Sequence, residues 1–157
     1  DQRGSRVSPV SHGELLDLTR TRVRVEQIAL RLAIEHGDVE WESRLLSAFH
    51  RLSRTPLPPP PERDARWSAV HRRFHEIDGC GSAWTLRLCR LLYDKSERYR
   101  NLAQLSTRDR PRDIGAEHRG LLDAVMARDA DAACRLLHEH LTETTEIILA
   151  SGLVGDE

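Results

Sequence analysis

Residues 11–36 read SHGELLDLTRTRVRVEQIALRLAIEH, and this stretch decides the fold class. Ser11, followed three residues later by Glu14, forms a capping box, which is a common signal for the start of a helix. Apolar residues then recur three or four positions apart up to His36, and Gly37 follows. That period puts the apolar residues on one helical face, and glycine is typical of a helix end. The stretch therefore predicts a long first helix.

The remaining chain repeats this helical pattern between clear breaks. Asp38 is placed to cap a second helix, and five prolines within residues 55–61 predict a connector, because proline cannot continue a helix. Helical spacing resumes near Arg63 and breaks at residues 79–82, with Ser82 as the next N-cap. It continues over 83–105, 116–128 and 130–151. The fourth helix carries four apolar residues predicted to face the core: Trp84, Leu88, Leu91 and Leu92.

No segment shows the alternation of a strand bounded by hairpin turns. We therefore predict an all-α fold, an antiparallel bundle of about six helices. A length of 157 residues suits one domain with a sizeable core.

Composition narrows the class of protein. A net charge of −1 gives no electrostatic bias toward nucleic acid or anionic membrane. Three cysteines, an odd number without paired spacing, argue against a disulfide scaffold and for a reducing compartment. No apolar run approaches the roughly 18 residues of a membrane span, and the polar start does not resemble a signal peptide. The composition predicts a cytoplasmic protein without a membrane partner.

Four histidines are the leading candidates for a functional site. His71 and His75 are four residues apart and share one helical face. His118 and His140 each lie eleven residues from Asp129, in the turn between the last two helices. Each would then stand about 16 Å along its helix from that turn, opposite the other. Neutral imidazole binds zinc, nickel, copper and iron, so the spacing predicts a divalent-metal site; the alternative is a bundle with core histidines and no metal.

Arg22 is the second unusual residue, because it lies on the apolar stripe of the first helix, where an unpaired guanidinium is costly. Three interpretations remain open. Arg22 pairs with Glu26 one turn away, or extends to solvent, or clamps a ligand carboxylate.

Enzyme signatures are missing from the sequence. His138-Glu139-His140 is not the His-Glu-x-x-His motif of zinc proteases, and there is no phosphate-binding loop or nucleophile motif. The rival hypothesis is a metal-dependent hydrolase or oxygenase with a histidine-rich site. It requires an inward carboxylate as a base, for which Asp78 and Glu117 are the nearby candidates.

Several segments together resemble a known family. They are Leu15-Leu16-Asp17-Leu18-Thr19 followed by Arg22-x-x-x-Glu26; Phe74-His75 before a small-residue loop; Glu117-His118-x-x-Leu121; and Ala124, Asp129, Ala133 and His140-Leu141. This combination resembles the FadR-type C-terminal (FCD) effector domain of GntR-family bacterial transcription regulators, over nearly the whole chain from Ser11. Trp67-x-x-x-His71, Cys80-Gly81-Ser82-x-Trp84 and Arg98-Tyr99-Arg100 resemble a subgroup related to the carbon-starvation-induced regulators.

The resemblance implies a metal site and an effector. Many members hold a divalent metal with an Asp four residues before the Phe-His histidine, that histidine, and two late histidines. The matching positions are His71, which stands where the Asp is expected, and then His75, His118 and His140. Four imidazoles suit zinc or nickel and make the site one negative charge poorer than the family pattern, which favours an anionic effector as a further ligand.

The resemblance also implies an effector-binding role for the inward arginine Arg22, with Arg98 as a second candidate, and an effector that is a small carboxylate. Residues 1–10 resemble the linker that follows a winged helix-turn-helix domain, and 11–157 the effector-binding and dimerisation domain. We therefore expect a homodimeric sensor rather than an enzyme, which contacts DNA only through an N-terminal domain absent from this sequence.

Overall fold

The computed structural model describes residues 11–57, 65–106 and 112–155. Within these ranges the chain forms six α-helices and one short 3₁₀ turn, and the prediction of an all-α bundle is confirmed. The elements are α1 (His12–His36), α2 (Val39–Ser53), α3 (Ala65–Phe74), the 3₁₀ turn Asp78–Cys80, α4 (Ala83–Ser106), α5 (Ile114–Met126) and α6 (Ala130–Ala150). The predicted start of α3 near Arg63 lies outside the described residues. No helix in the described ranges is both long and apolar enough to cross a membrane.

Side-chain caps set the helix starts. Ser11 Oγ accepts a hydrogen bond from the Glu14 amide, and Asp38 Oδ1 accepts one from the Trp41 amide. Ser82 Oγ accepts one from the Thr85 amide. These three predicted caps are therefore confirmed. Each cap satisfies an amide of the first turn that has no partner within the helix.

α5 begins two residues earlier than predicted, because Asp113 caps it by accepting a hydrogen bond from the Ala116 amide at 2.8 Å. Asp129 caps α6 in the same way, through the Ala132 amide at 2.9 Å. Between α5 and α6, Arg128 has a φ of 58°. The tight turn, which ends at the Asp129 cap of α6, makes α5 and α6 antiparallel neighbours.

The bundle has two apolar cores. The larger lies among α1, α2, α3, α5 and α6, and its largest members are Trp41, Phe49, Trp67 and Phe74. The smaller lies at the end of the bundle where α1 begins and α6 ends, and includes Leu15, Tyr99, Ile148 and Val154. At this end the His12 amide donates to the Gly155 carbonyl at 3.1 Å. The candidate histidines border the larger core, because the His71 ring stacks on Trp67 and the His118 ring lies edge-on to Phe74.

The predicted inward stripe of α4 is wrong for most of its members. Trp84, Leu88 and Leu91 are 72%, 47% and 52% exposed, and Leu92 is half-buried. The face of α4 that packs inward instead carries Cys89, Tyr93, Ser96, Tyr99 and Ala103. Helical periodicity detects an apolar face but not what that face contacts, and here the inward face is the more polar one because it borders the functional site.

Candidate metal centre

Four histidines converge between the helices. His71 lies on α3 and His118 and His140 on α5 and α6, all three buried. α3 ends at Phe74, one residue before the half-buried His75, but the His75 amide still donates to the His71 carbonyl at 3.1 Å. One ligating nitrogen from each histidine lies within 4.8 Å of those of the other three.

The ring geometry fits a shared ion. His75 Nε2 and His118 Nε2 are 3.1 Å apart, and the ring centroids of His118 and His140 are separated by 4.8 Å. Zinc–imidazole bonds of about 2.0–2.1 Å place two nitrogens of one tetrahedral ion roughly 3.3 Å apart. The separation between His75 and His118 is close to that value, so these two side chains are already placed to share an ion, while the other ligating nitrogens lie within 4.8 Å.

Burial also puts the four imidazoles in the protonation state that a metal requires. Desolvation lowers the pKa of His71 and of His75 well below the usual value, and neighbouring histidines lower both further. The pKa of His118 falls to about 3, again chiefly through burial. Burial lowers the pKa of His140 as well, against the opposing effect of Glu117. Neutral imidazole is the ligating form, so no proton has to be displaced near neutral pH.

His140 has a carboxylate partner. Its Nδ1 lies 2.6 Å from Glu117 Oε2, and Arg112 binds both oxygens of Glu117 at 2.7 Å. Burial opposes ionisation of Glu117, but the hydrogen bonds from His140 and Arg112 outweigh it and lower the pKa of Glu117 to about 2. Glu117 is therefore an ionised and fully engaged carboxylate, poorly suited to act as a general base.

His71, at the position where the resemblance predicts Asp, is held by two aromatic residues. Its Nδ1 lies 2.9 Å from the Tyr93 hydroxyl, and its ring stacks on Trp67 with centroids 4.5 Å apart. Because Nδ1 is engaged, Nε2 is the nitrogen left for an ion.

A small cavity adjoins the cluster and is bordered by His71 and His140. Arg22 lies on its wall and is 5% exposed. Arg22 Nε donates to Glu26 Oε1 at 2.5 Å, and its Nη1 donates to Ser96 Oγ at 2.9 Å. Of the three interpretations of Arg22, the extended conformation toward solvent is excluded and the Glu26 pair is present. Several hydroxyl groups complete the wall: Thr19, Ser96, Tyr99, Thr144 and Thr145.

The arginine of α4 that borders this cavity is Arg100, which the sequence analysis did not select. Its Nη1 donates to Ser96 Oγ at 2.7 Å and its guanidinium lies 3.8 Å from the centroid of the Tyr93 ring. Burial lowers the pKa of Arg100 to about 10. Its Nη2 is buried without a hydrogen-bond partner among the described residues. The sequence feature that could have indicated Arg100 is the spacing of the polar residues 93, 96 and 100, which places them on one face of α4.

Arg98 has a different environment. It is exposed on α4, its guanidinium 5.9 Å from the centroid of the Tyr99 ring, and it is not among the residues that line the cavity. The structure therefore brings Arg22 to the histidines but does not bring Arg98 there.

The described residues thus form a helical bundle that encloses four converging histidines beside a cavity bordered by two arginines. The family model of the FCD domain matches residues 17–143. The HTH-type transcriptional regulator BphR of Paraburkholderia xenovorans (strain LB400) is 39% identical over 159 residues, which cover 98% of this chain and 64% of BphR. The HTH-type transcriptional repressor GlaR of Escherichia coli (strain K12) is 33% identical over 154 residues, or 94% of this chain and 70% of GlaR.

The chain belongs to the FCD family, the effector-binding domains of GntR-type transcription regulators. It spans 64% of the length of BphR and 70% of that of GlaR. The family assignment makes this an effector domain and not an enzyme, so the rival hypothesis of a hydrolase or oxygenase is wrong.

Proposed function

We propose that this domain binds a divalent metal ion, zinc or nickel, through His71, His75, His118 and His140. The observation that carries the proposal is the convergence of three buried imidazoles and the half-buried His75, one nitrogen of each within 4.8 Å of the others. Imidazole ligands suit both metals. When bound, the ion supplies a Lewis-acidic position that an effector carboxylate can occupy.

We further propose that the effector is a small organic acid seated in the cavity beside the histidines. Four neutral ligands leave the double positive charge of the ion uncompensated. Arg22 is already paired with Glu26, whereas Arg100 retains a buried nitrogen without a partner among the described residues. An anion would compensate the charge of the ion and accept a hydrogen bond from Arg100 Nη2, and a buried donor without a partner is costly. A direct role for Arg98 stays a prediction.

In the complete regulator, effector binding would alter DNA binding by the attached helix-turn-helix domain. Such coupling requires that the effector prefer one of two arrangements of the protein. The printed names of the two relatives, both HTH-type regulators, support the presence of such a domain in the whole protein.

We also propose that the domain forms a homodimer through the outer face of α4. Trp84, Leu88 and Leu91 follow i, i+4, i+7 spacing and are each more than 45% exposed. An exposed apolar stripe of this kind is typical of an interaction surface. A second copy of the same stripe would cover it in a two-fold arrangement, and paired DNA-binding domains read the two half-sites of a symmetric operator.

Metal analysis tests the central proposal. The purified chain, loaded with excess zinc or nickel and then desalted, is expected to retain one ion per chain by elemental analysis. His75→Ala and His118→Ala are expected to lose it. His138→Ala removes an exposed histidine of α6 outside the cluster and should retain it, which makes it the matched control. Failure of the parent protein to retain either metal would reject the site.

A further inference from the structure

We propose that Arg112 and Glu117 are positioning residues that hold the metal ligand His140 in the tautomer and orientation required for coordination. This inference rests on the proposed metal site. Neither residue needs to touch the ion: Glu117 acts on His140, and Arg112 acts on Glu117.

The hydrogen bonds define the tautomer of His140. Glu117 Oε2 lies 2.6 Å from His140 Nδ1, and both Glu117 oxygens accept hydrogen bonds from Arg112 at 2.7 Å, so Glu117 is the acceptor in its contact with His140. Nδ1 must therefore carry the proton, which leaves the lone pair on Nε2. The longer contact of 3.4 Å between Arg112 Nη2 and His140 Nδ1 does not compete, since the same Nη2 donates to Glu117 at 2.7 Å. A hydrogen bond at one ring nitrogen decides which nitrogen binds a metal.

Arg112 fixes Glu117 in turn. Its Nε and Nη2 each donate to one oxygen of Glu117 at 2.7 Å, so the carboxylate is bound at both ends and cannot rotate away from His140. The Arg112 side chain is 8% exposed and the Glu117 side chain 29% exposed, so solvent reaches this pair only from the Glu117 side. Bidentate arginine–carboxylate pairs combine strength with a defined geometry.

Arg112 also holds the backbone that carries His140. Its Nη2 donates to the His140 carbonyl at 2.9 Å, and its Nη1 donates to Thr144 Oγ1, one turn further along α6, at 2.9 Å. The guanidinium of Arg112, just before α5, thus contacts both Glu117, which accepts from the His140 ring, and the backbone of His140 on α6. Both the rotation of the ring and the position of its helix depend on this residue.

The first test measures zinc affinity by competition with a chromophoric chelator. Glu117→Ala is expected to weaken zinc binding by about 10- to 100-fold, the usual effect of removing the partner of a ligating histidine. Glu117→Gln, whose amide oxygen can still accept from Nδ1, should recover part of the loss. Arg112→Lys keeps the charge but not the two-point contact and should lie between the parent and Glu117→Ala.

Glu42→Ala is the matched control, because Glu42 also pairs with an arginine, Arg128, but contacts none of the four histidines. Its zinc affinity should equal that of the parent. Circular dichroism of each variant confirms folding. If the parent and Glu117→Ala bind zinc equally well, the positioning role is rejected while the metal site stands. If the parent binds no zinc, the metal site is rejected and the positioning role with it.

A second readout needs no metal. In metal-free protein, ¹⁵N NMR of the imidazole nitrogens should show the His140 proton on Nδ1, and Glu117→Ala should move some or all of it to Nε2. A purely structural role of Glu117 would leave the tautomer unchanged. A proton on Nε2 of His140 in the parent would overturn the inference, whatever the zinc affinities.

Discussion

At the scale of single residues, His71 decides the charge of the site. It replaces the Asp that the family resemblance predicts, and the Tyr93 hydroxyl and the Trp67 ring hold it in place. With four imidazoles, the ligand set carries no negative charge. In the proposed site, an anionic effector would supply the charge that a carboxylate ligand would otherwise provide.

The first prediction follows from that charge balance. His71→Asp adds a carboxylate beside the ion, so metal should still be retained while a carboxylate effector is bound more weakly, by about tenfold or about 1.4 kcal/mol. Isothermal titration of the zinc-loaded protein with a panel of small mono- and dicarboxylates measures this. His71→Asn, similar in shape but uncharged, is the control and should bind the acids more tightly than His71→Asp. Equal affinities for both variants would contradict the charge argument.

The second prediction separates two arginines of α4. Arg100→Met removes a buried guanidinium from the cavity and should weaken carboxylate binding by about 10- to 100-fold, since a hydrogen bond to a charged group contributes about 1.5–3 kcal/mol. Arg98→Met removes an exposed guanidinium two residues away and should change the affinity little. The same titrations compare the two variants. A larger loss of affinity in Arg98→Met than in Arg100→Met would support Arg98, the residue that the family resemblance implied.

At the scale of elements, α4 has two functional faces. Its inner face carries Tyr93, Ser96 and Arg100 toward the cavity, while its outer face exposes Trp84 and Leu88. If the proposed effector site and dimer are both correct, α4 contacts the effector on one face and the second subunit on the other. A shift of α4 on effector binding would therefore be transmitted to the dimer interface.

The third prediction concerns that outer face. The double variant Leu88→Glu, Leu91→Glu should convert the dimer to a monomer by light scattering coupled to size-exclusion chromatography, because carboxylates are costly to bury across an interface. Its helical content should be unchanged, since both residues are exposed. Leu46→Glu on α2, at a residue that is 43% exposed, is the control and should leave the dimer intact. A dimeric double variant would place the interface elsewhere.

At the scale of the whole molecule, the histidine cluster joins elements that are distant in the sequence. The 3₁₀ turn and α4 separate His75 from His118 on α5 in the sequence. The other two histidines of the cluster lie on α3 and α6. An ion that binds these residues together in the native state, and not in the unfolded chain, stabilises the native bundle.

The fourth prediction is a metal-dependent stability. Free zinc at about 100 times its dissociation constant should raise the free energy of unfolding by about 2.7 kcal/mol and raise the melting temperature with it. Calorimetry with and without zinc measures the shift, and a chelator should reverse it. His118→Ala should abolish the shift and His138→Ala should keep it. A melting temperature that zinc does not change would argue against binding in the folded state.

Local features of the chain were predictable from its sequence. Ser11, Asp38 and Ser82 cap helices as predicted, because a cap depends only on residues within three positions. The approach of His118 to His140 followed from equal distances to one turn, which is also a local property. Their approach to His71 and His75 was a hypothesis from two inward-facing pairs, which the family resemblance then favoured, since no spacing in the sequence joins α3 to α5.

The sequence by itself determined the helical elements, three of their caps and the four histidine candidates, because helical period and turn geometry act over a few residues. Only the tertiary structure decided which face of α4 is buried, that Arg100 rather than Arg98 borders the cavity, and that Glu117 and Arg112 hold His140. These depend on packing between helices far apart in the chain. A helical face of mixed polarity fits either a core or a cavity wall until its neighbours are in place.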